Sequence, residues 1–365
     1  MRKAIPPLKI SFTNIEKRYI KDNICCVLDS GYLTLGEYTK KFEDNFKKIS
    51  ETKYSLAVNS GTTALEIIFR ILNVHKKDVL IPGNTNFATA ISAVNAGATP
   101  IFYDGDIFPD LESIKNKITP KTKAIIVVHI GGFISRDIFK IKKICKEKGV
   151  YLIEDAAHAH GAEINGIKAG SIGDFGAFSF FPTKVITTCE GGMITTSNKS
   201  AIEKAKIYRD QGKDTSGIKN VLHGNSWRIS EVEAIIGLAQ LESFSKDVKY
   251  RREIIELYRN KLAGLPIRFI DTYSCKPSGY KSIILLNNQK EKRELKSFLN
   301  KNLIFTGKGV YDIPLHLQPI FKKFKKGTLP ISEKFSKTHL CLPIWRFIKK
   351  EEVIRVCEVI KKFYN

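Results

Sequence analysis

DVLIPGNTNFATAISAVNAGATPIFYDGDIFPDLESIKNKITPKTKAIIVVHIGGFISRDIFKIKKICKEKGVYLIED, residues 78–155, repeats one pattern. A short aliphatic run is followed by a longer segment of helical period, and the pair recurs. Val79–Ile81, Pro100–Tyr103, Ala124–Val128 and Val150–Ile153 read as strands. Helices are predicted between them, near residues 85–96, 110–117 and 135–148. Strands alternating with helices form right-handed βαβ crossovers and therefore a parallel sheet. No GxGxxG follows the first of these strands, so the pattern is a poor match to a dinucleotide-binding fold.

The chemistry sits just outward of this block. The last strand runs into Glu154-Asp155, and strand ends are where parallel α/β sheets keep their reactive groups. Downstream, DFGAFSFFPTKVITTCEGGMITT (174–196) opens with an aromatic run, Phe175–Phe181, that reads as a buried strand stopped by Pro182. Lys184 follows two residues later, ahead of the glycine pair Gly191-Gly192. A lysine amine without its proton can form a Schiff base with an aldehyde. An exposed loop lysine is the bland alternative. Upstream, Tyr54–Val58 is a strand, Asn59–Thr63 a small polar turn, and Ala64–Leu72 a helix with Leu65, Ile68 and Leu72 inward. Such a turn at a helix start offers unpaired amides that suit a phosphate, with an ordinary helix cap as the alternative. It is not a Walker loop, since no GK[ST] follows.

A helix is predicted from Asn14 to Ser30, capped by Thr13 or Asn14, and a second follows with Phe42, Phe46 and Ile49 on one face. Residues 198–209 are helical. The polar stretch 210–227 leads into RISEVEAIIGLAQLESF, a helix with Val232, Ile235, Ile236, Ala239 and Leu241 near one face; Ser230 and Glu233 have capping-box spacing. Beyond about residue 262 the texture changes to short strands with peripheral helices. The expected fold class is therefore α/β: a large domain, 1–245, with a mostly parallel sheet flanked by helices, and a smaller α+β domain, 246–365. The N-terminal segment is open to either.

The 365 residues, 43% of them hydrophobic, suffice for more than one core. No apolar run reaches membrane-span length, and the N-terminus lacks a signal-peptide core, so a cytoplasmic protein is expected with no membrane partner. The 7 cysteines form no CxxC or finger spacing, which predicts reduced thiols and no metal. The net charge of +23 is spread along the chain without a nucleic-acid motif. No nucleic-acid partner is expected, and the charge is compatible with an anionic small substrate.

The order phosphate turn, acid at a strand end, then lysine after an aromatic strand resembles the fold type I pyridoxal-phosphate aminotransferases. More narrowly, it is similar to the DegT/DnrJ/StrS family of sugar aminotransferases. The matching text is NSGTTAL (59–65), NAGATPIFYDGD (95–106), IEDAAHAHGAEINGIKAGSIGDFGAFSFFPTK (153–184), EGGMITT (190–196), WRISEVEAIIGLAQLE (227–242) and DIPLHLQP (312–319). The resemblance implies that Lys184 carries pyridoxal 5'-phosphate and later shuttles the proton. It implies that Asp155 pairs with the pyridine nitrogen, that His158 lies by the ring, and that Gly61, Thr62, Thr63 and Ser179 bind the phosphate. It further implies a homodimer with shared sites, in which the loop before the WRISE helix reaches the neighbour. Arg228 and His316 would then meet substrate, and Asn225 or Ser226 the neighbour's phosphate.

Three positions depart from the family pattern. Asn86 stands where an aromatic usually stacks on the cofactor, Cys189 where a glycine opens GEGG, and Ser226 where an asparagine precedes the arginine. Asn86 remains a cofactor contact by position, and Cys189 reads as a small packing residue. The implied reaction moves an amino group from an amino acid, L-glutamate by analogy, to an anionic ketone. A nucleotide-linked keto-sugar of surface-polysaccharide synthesis is the expected acceptor, with a small phosphorylated ketone such as dihydroxyacetone phosphate as the alternative. A cofactor-binding regulator without turnover is the reading from a different class.

Overall fold

In a computed structural model that describes residues 3–307 and 309–365, seven strands form one sheet: β1 (Tyr54–Val58), β2 (Asp78–Pro82), β3 (Thr99–Tyr103), β4 (Thr122–Val128), β5 (Tyr151–Asp155), β6 (Phe175–Ser179) and β7 (Gly192–Thr196). Their order is β1-β7-β6-β5-β4-β2-β3. β7 alone runs antiparallel to its neighbours in this sheet. The four predicted strands of residues 78–155 are all present, adjacent and parallel. β7 was not foreseen. The connection from 180 to 191 contains no helix, and it brings Gly192 back beside Ser179 as an antiparallel partner.

Side chains alternate across the sheet, as a strand's period of two requires. Val79, Ile81, Ile126, Ile153 and Ile194 enter one core, and Leu80, Ile125, Val127, Leu152 and Met193 the other. Helices α3 (Gly61–Ile71), α4 (Phe87–Asn95) and α7 (Lys199–Arg209) cover the first face. The second is covered by α2 (Glu37–Ser50), α5 (Leu111–Lys117), α6 (Ile138–Lys148) and α8 (Glu231–Leu241), with α1 (Asn14–Ser30) lying outside α8. The adjacent acids Glu154 and Asp155 therefore point to opposite sides. Glu154, fully buried, accepts from the amides of Gly170, Ile172 and Gly173 and bonds His129 Nε2 at 2.8 Å. Asp155 is left for the other face.

Local signals fix most helix starts. Thr13 caps α1 in a capping box with Glu16, and Ser230 caps α8 in one with Glu233. α2 is capped from a distance. Its N-cap is Gly36, which has no side chain to offer, and the carboxylate of Glu231 does the capping from 195 residues away in sequence. It accepts from the amides of Gly36, Tyr38 and Thr39 at 2.9, 2.7 and 3.0 Å while only 1% exposed. Hydrogen bonds to a buried charge contribute about 1.5–3 kcal/mol. Glu231→Ala should therefore lower urea-unfolding stability by about 2–4 kcal/mol, the upper part reflecting amides left unpaired. The buried face of α8 also differs from the predicted one. Ala234, Ile235 and Ala239 are inward, but Val232 and Ile236 are half-buried. Gly237 sets this rotation, since a Cβ there would lie 2.6 Å from the Phe42 ring and only glycine admits α2 so closely.

The C-terminal region has its own sheet, β8 (Arg268–Phe269), β9 (Ser282–Leu285) and β10 (His339–Leu342), all antiparallel. Its core joins α9 (Phe244–Lys261), α10 (Gln289–Lys301) and α12 (Lys350–Tyr364) through Tyr258, Leu299, Val353, Val356 and Ile360. Ile5 pairs with Ile304 and enters this same core. α9 bridges: Phe244 and Val248 pack in the large-sheet core, Ile254 and Tyr258 in the small one. Leu315, Phe321, Leu329 and Phe335, the last from α11 (Pro330–Thr338), return to the large-sheet core. No helix among the described residues is long and apolar enough to cross a membrane. All seven cysteines are free.

Candidate active site

At the C-terminal ends of β5 and β6 a cavity of about 270 Å³ opens. It lies near the lower end of the roughly 300–1,000 Å³ range of small-molecule clefts. Its lining includes Gly61, Thr62, Asn86, Asp155, His158, Ser179 and Lys184, all expected from the sequence. These residues come from five chain segments, and β5 and β6 lie side by side in the sheet.

The floor is the start of α3. The helix begins at Gly61, three residues earlier than predicted, because Ser60 caps it by accepting from Thr63 N at 3.0 Å. The Gly61 and Thr62 amides, first in the helix, have no intrahelical acceptor and sit at the positive end of the dipole. Thr63 is the correction here. Its hydroxyl bonds Ser60 and Asn59 Oδ1, at 2.9 and 2.8 Å, and it does not line the cavity. Glycine is required for packing as well as for ligand approach. A Cβ on Gly61 would lie 2.8 Å from Ser179 Cβ, and one on Gly192 would lie 2.2 Å from the Ser60 carbonyl. Gly192→Ala must push back the Ser60–Gly61 turn. The expected cost is about 1–3 kcal/mol of stability, with phosphate-ester affinity, read by equilibrium dialysis of pyridoxal phosphate, falling at least tenfold.

Asp155, 5% exposed, is held by Thr89 Oγ1 at 2.8 Å and by the Ala157 amide at 3.2 Å. Burial raises its carboxyl above the ordinary value, while the Thr89 and Ala157 bonds and the charges of Lys184 and His129 oppose that shift. A cation opposite it would be strongly favoured. Burial lowers the Lys184 amine below an ordinary lysine, against the pull of Tyr280 and Asp155. More of it is therefore unprotonated near neutrality, the form that attacks an aldehyde. The His158 ring stacks on Tyr280, centroids 4.3 Å apart, and its Nδ1 accepts from Gly131 N at 3.3 Å. Burial and the nearby Lys184 push it well below the ordinary histidine value, so it stays neutral. With Nδ1 accepting, its proton lies on Nε2.

Asn86 lines the cavity, but its Oδ1 is engaged as the N-cap of α4, accepting from Ala88 at 2.9 Å. The cavity's aromatic walls are Tyr311 and Phe181. Tyr311 arrives from the C-terminal third with its hydroxyl against Thr85 and Asn86, and no local pattern marked it. Tyr280, whose ring lies 5.3 Å from Lys184 Nζ, and Thr89 were missed for the same reason. Cys189 is exposed and takes φ +74°, the glycine-like region, so it is not the packing residue expected.

Besides Thr63, four expected residues lie outside this cavity. His316 is 2% exposed and bonds Glu333 at 3.0 Å, packed behind Gly83. It anchors the 314–333 segment and is removed from the site as a substrate contact within this chain. Arg228 pairs with Asp210 and donates to Ser226 Oγ at 2.8 Å. Asn225 Oδ1 accepts from the Ser226 amide at 2.7 Å, closing the 210–226 loop on itself.

The residues present fit one prosthetic group. A phosphate cup at a helix start, a buried carboxylate, a neutral histidine and a low-pKa lysine surround one cleft. The fold and this cleft define a pyridoxal-phosphate-dependent aminotransferase. The profile of the DegT/DnrJ/EryC1/StrS aminotransferase family matches residues 14–361, and the chain belongs to that family. It is 34% identical to a GDP-perosamine synthase of Vibrio cholerae over 99% of each chain. It is 32% identical to the dTDP-3-amino-3,6-dideoxy-alpha-D-galactopyranose transaminase of Aneurinibacillus thermoaerophilus, covering 98% of this chain and 99% of that one. A Streptococcus pneumoniae protein solved in its PLP form superposes with a TM-score of 0.90 at 26% identity, covering 99% of this chain and 98% of that one.

Proposed function

We propose that this enzyme moves an amino group from L-glutamate to a nucleotide-linked keto-sugar, acting in the cytoplasm as a homodimer. The observation that carries the reading is the placement of Lys184 and Asp155 on one cavity with the Gly61–Thr62 amides at its floor. The names of the relatives, a GDP-sugar synthase and a dTDP-sugar transaminase, support the acceptor class. The net charge of +23 suits a diphosphate-bearing substrate.

Bound pyridoxal phosphate supplies an aldehyde that carries the amine and a ring that takes up an electron pair. The Gly61 and Thr62 amides and Ser179 would hold its phosphate. Asp155 would face the ring nitrogen, where a carboxylate favours the protonated ring. Lys184 Nζ would be the amine that attaches to the aldehyde and, when free, the base that takes and returns the substrate α-proton. Its tether makes the transfer effectively intramolecular. Neutral His158 offers Nε2–H as a donor without adding charge.

The 210–227 loop supports the dimer reading. It exposes Ile218 (81%) and Val221 (52%), while Arg228 and Ser226 at its base are tied to Asp210 rather than to this chain's cavity.

The deciding experiment supplies the holoenzyme with glutamate and a panel of GDP- and dTDP-linked keto-sugars beside dihydroxyacetone phosphate, and follows ketone-to-amine conversion by mass. Amination of a nucleotide sugar is expected. Turnover of the triose phosphate alone would replace this acceptor assignment with the smaller one.

A further inference from the structure

Behind the catalytic lysine lies a second cavity, of about 30 Å³, between the 182–187 segment, the N-terminal residues 8–11 and the small domain. Its charged lining is Lys9, Lys184, Arg251, Lys281 and Arg346, and no acidic side chain among the described residues lines it. The two arginines, both buried, are treated differently. Arg346 bonds Glu16 at 2.7 Å and Asp247 at 2.6 Å. Arg251, 7% exposed, has no hydrogen bond and no ion pair with any described residue, and its Nε is fully enclosed. Asp247, the acid that acts on it most, is already taken by Arg346. Gly279, at φ +74°, presses its backbone onto Arg251, and a Cβ there would sit 2.4 Å from Arg251 Cβ. That loop packs on the backbone and Cβ of Arg251, and the residue lines the cavity. Lys281 follows on that loop, its Nζ 4.8 Å from the Tyr280 ring.

A buried guanidinium is retained only when paired or hydrogen-bonded, and a water alone does not balance its charge. The missing partner is a negative one. Volume sets its size: a water needs about 10–15 Å³ on this measure, so the cavity takes roughly two such bodies and excludes a phosphate ester. We propose that Arg251 and Lys281 bind one small anion, halide- or carboxylate-sized, on the far side of Lys184 from the main cavity. Because Lys184 lines both cavities, the anion also lies beside the catalytic amine and favours its protonated form. Two sources share this chemistry: a free monovalent anion, or the carboxylate of the amino donor.

Bromide is the probe. Crystals of the holoenzyme soaked in sodium bromide should show an anomalous peak in contact with Arg251 and Lys281. Bromide replacing gluconate should raise the melting temperature, and both Arg251→Met and Lys281→Met should abolish that rise. The lysine variant keeps the test open if the arginine variant does not fold. Added L-glutamate assigns the source, since displacement of the peak identifies the donor's carboxylate and its persistence a free anion. The site is independent of which ketone is the acceptor, so failure of the keto-sugar panel leaves this result readable. No bromine peak at Arg251, with melting indifferent to bromide in the parent protein, overturns the site.

Discussion

Lys184→Ala should abolish covalent cofactor capture and reduce turnover by at least about 10⁴-fold, combining the loss of the nucleophile with a general-base contribution of about 10²–10⁴. The structure makes the assignment specific. Other lysines are numerous, but among the described residues Lys184 is the one lysine lining the cavity that holds Asp155 and the Gly61–Thr62 amides. Burial lowers its amine below the ordinary lysine value. Borohydride reduction followed by peptide mass mapping reads the attachment directly. The parent protein should be labelled at residue 184 and the variant nowhere. Labelling that survives at another lysine would move the reaction centre, and full turnover by the variant would remove it. Lys184→Arg keeps a cation of similar reach and should be as inactive, since a guanidinium stays protonated and cannot attack.

Asp155→Asn should lower turnover by about 10²–10³-fold, the usual cost of removing one preorganised electrostatic partner of a developing charge. Attachment at Lys184 should persist, so the borohydride label separates this defect from the first. The side chain is nearly isosteric, and the Thr89 bond can re-form to the amide oxygen, so folding should be preserved. Turnover within tenfold of the parent would mean that the group opposite this carboxylate needs no acid. The sign of the pH dependence follows from the same geometry. Burial holds the carboxyl above its ordinary value, and a cationic ring nitrogen opposite pulls it down. Binding of the cofactor should therefore be strongest where Asp155 is ionised and weaken as pH falls through its titration.

The large sheet was legible because each signal there is local. Short aliphatic runs at β2–β5, a helical period between them, and Thr13 and Ser230 with a glutamate three residues on are all patterns within one short window. The reacting pair was legible for a related reason: Asp155 and Lys184 end two strands, and the adjacency of β5 and β6 brings those ends together. What the window could not contain was decided by contacts between distant segments. Glu231 reads as a first-turn acid of α8, yet caps α2. His316 reads as a site residue, yet Glu333 and Gly83 take it out of reach of the cavity. Gly61 looks like room for a ligand, yet Ser179 Cβ needs that room first.

By itself, the chain's sequence determined the α/β class, the starts of most helices, and the identity of the lysine and the acid, because period and capping act over one or two turns of chain. Only the folded structure decided that Tyr311 walls the site, that Tyr280 lies against Lys184, that Thr63 is turned away from the cavity, and that Arg346 has two carboxylates while Arg251 has none among the described residues. Which side chains share a cavity depends on how two cores and the N-terminal segment close together, and no residue's neighbours in sequence carry that information.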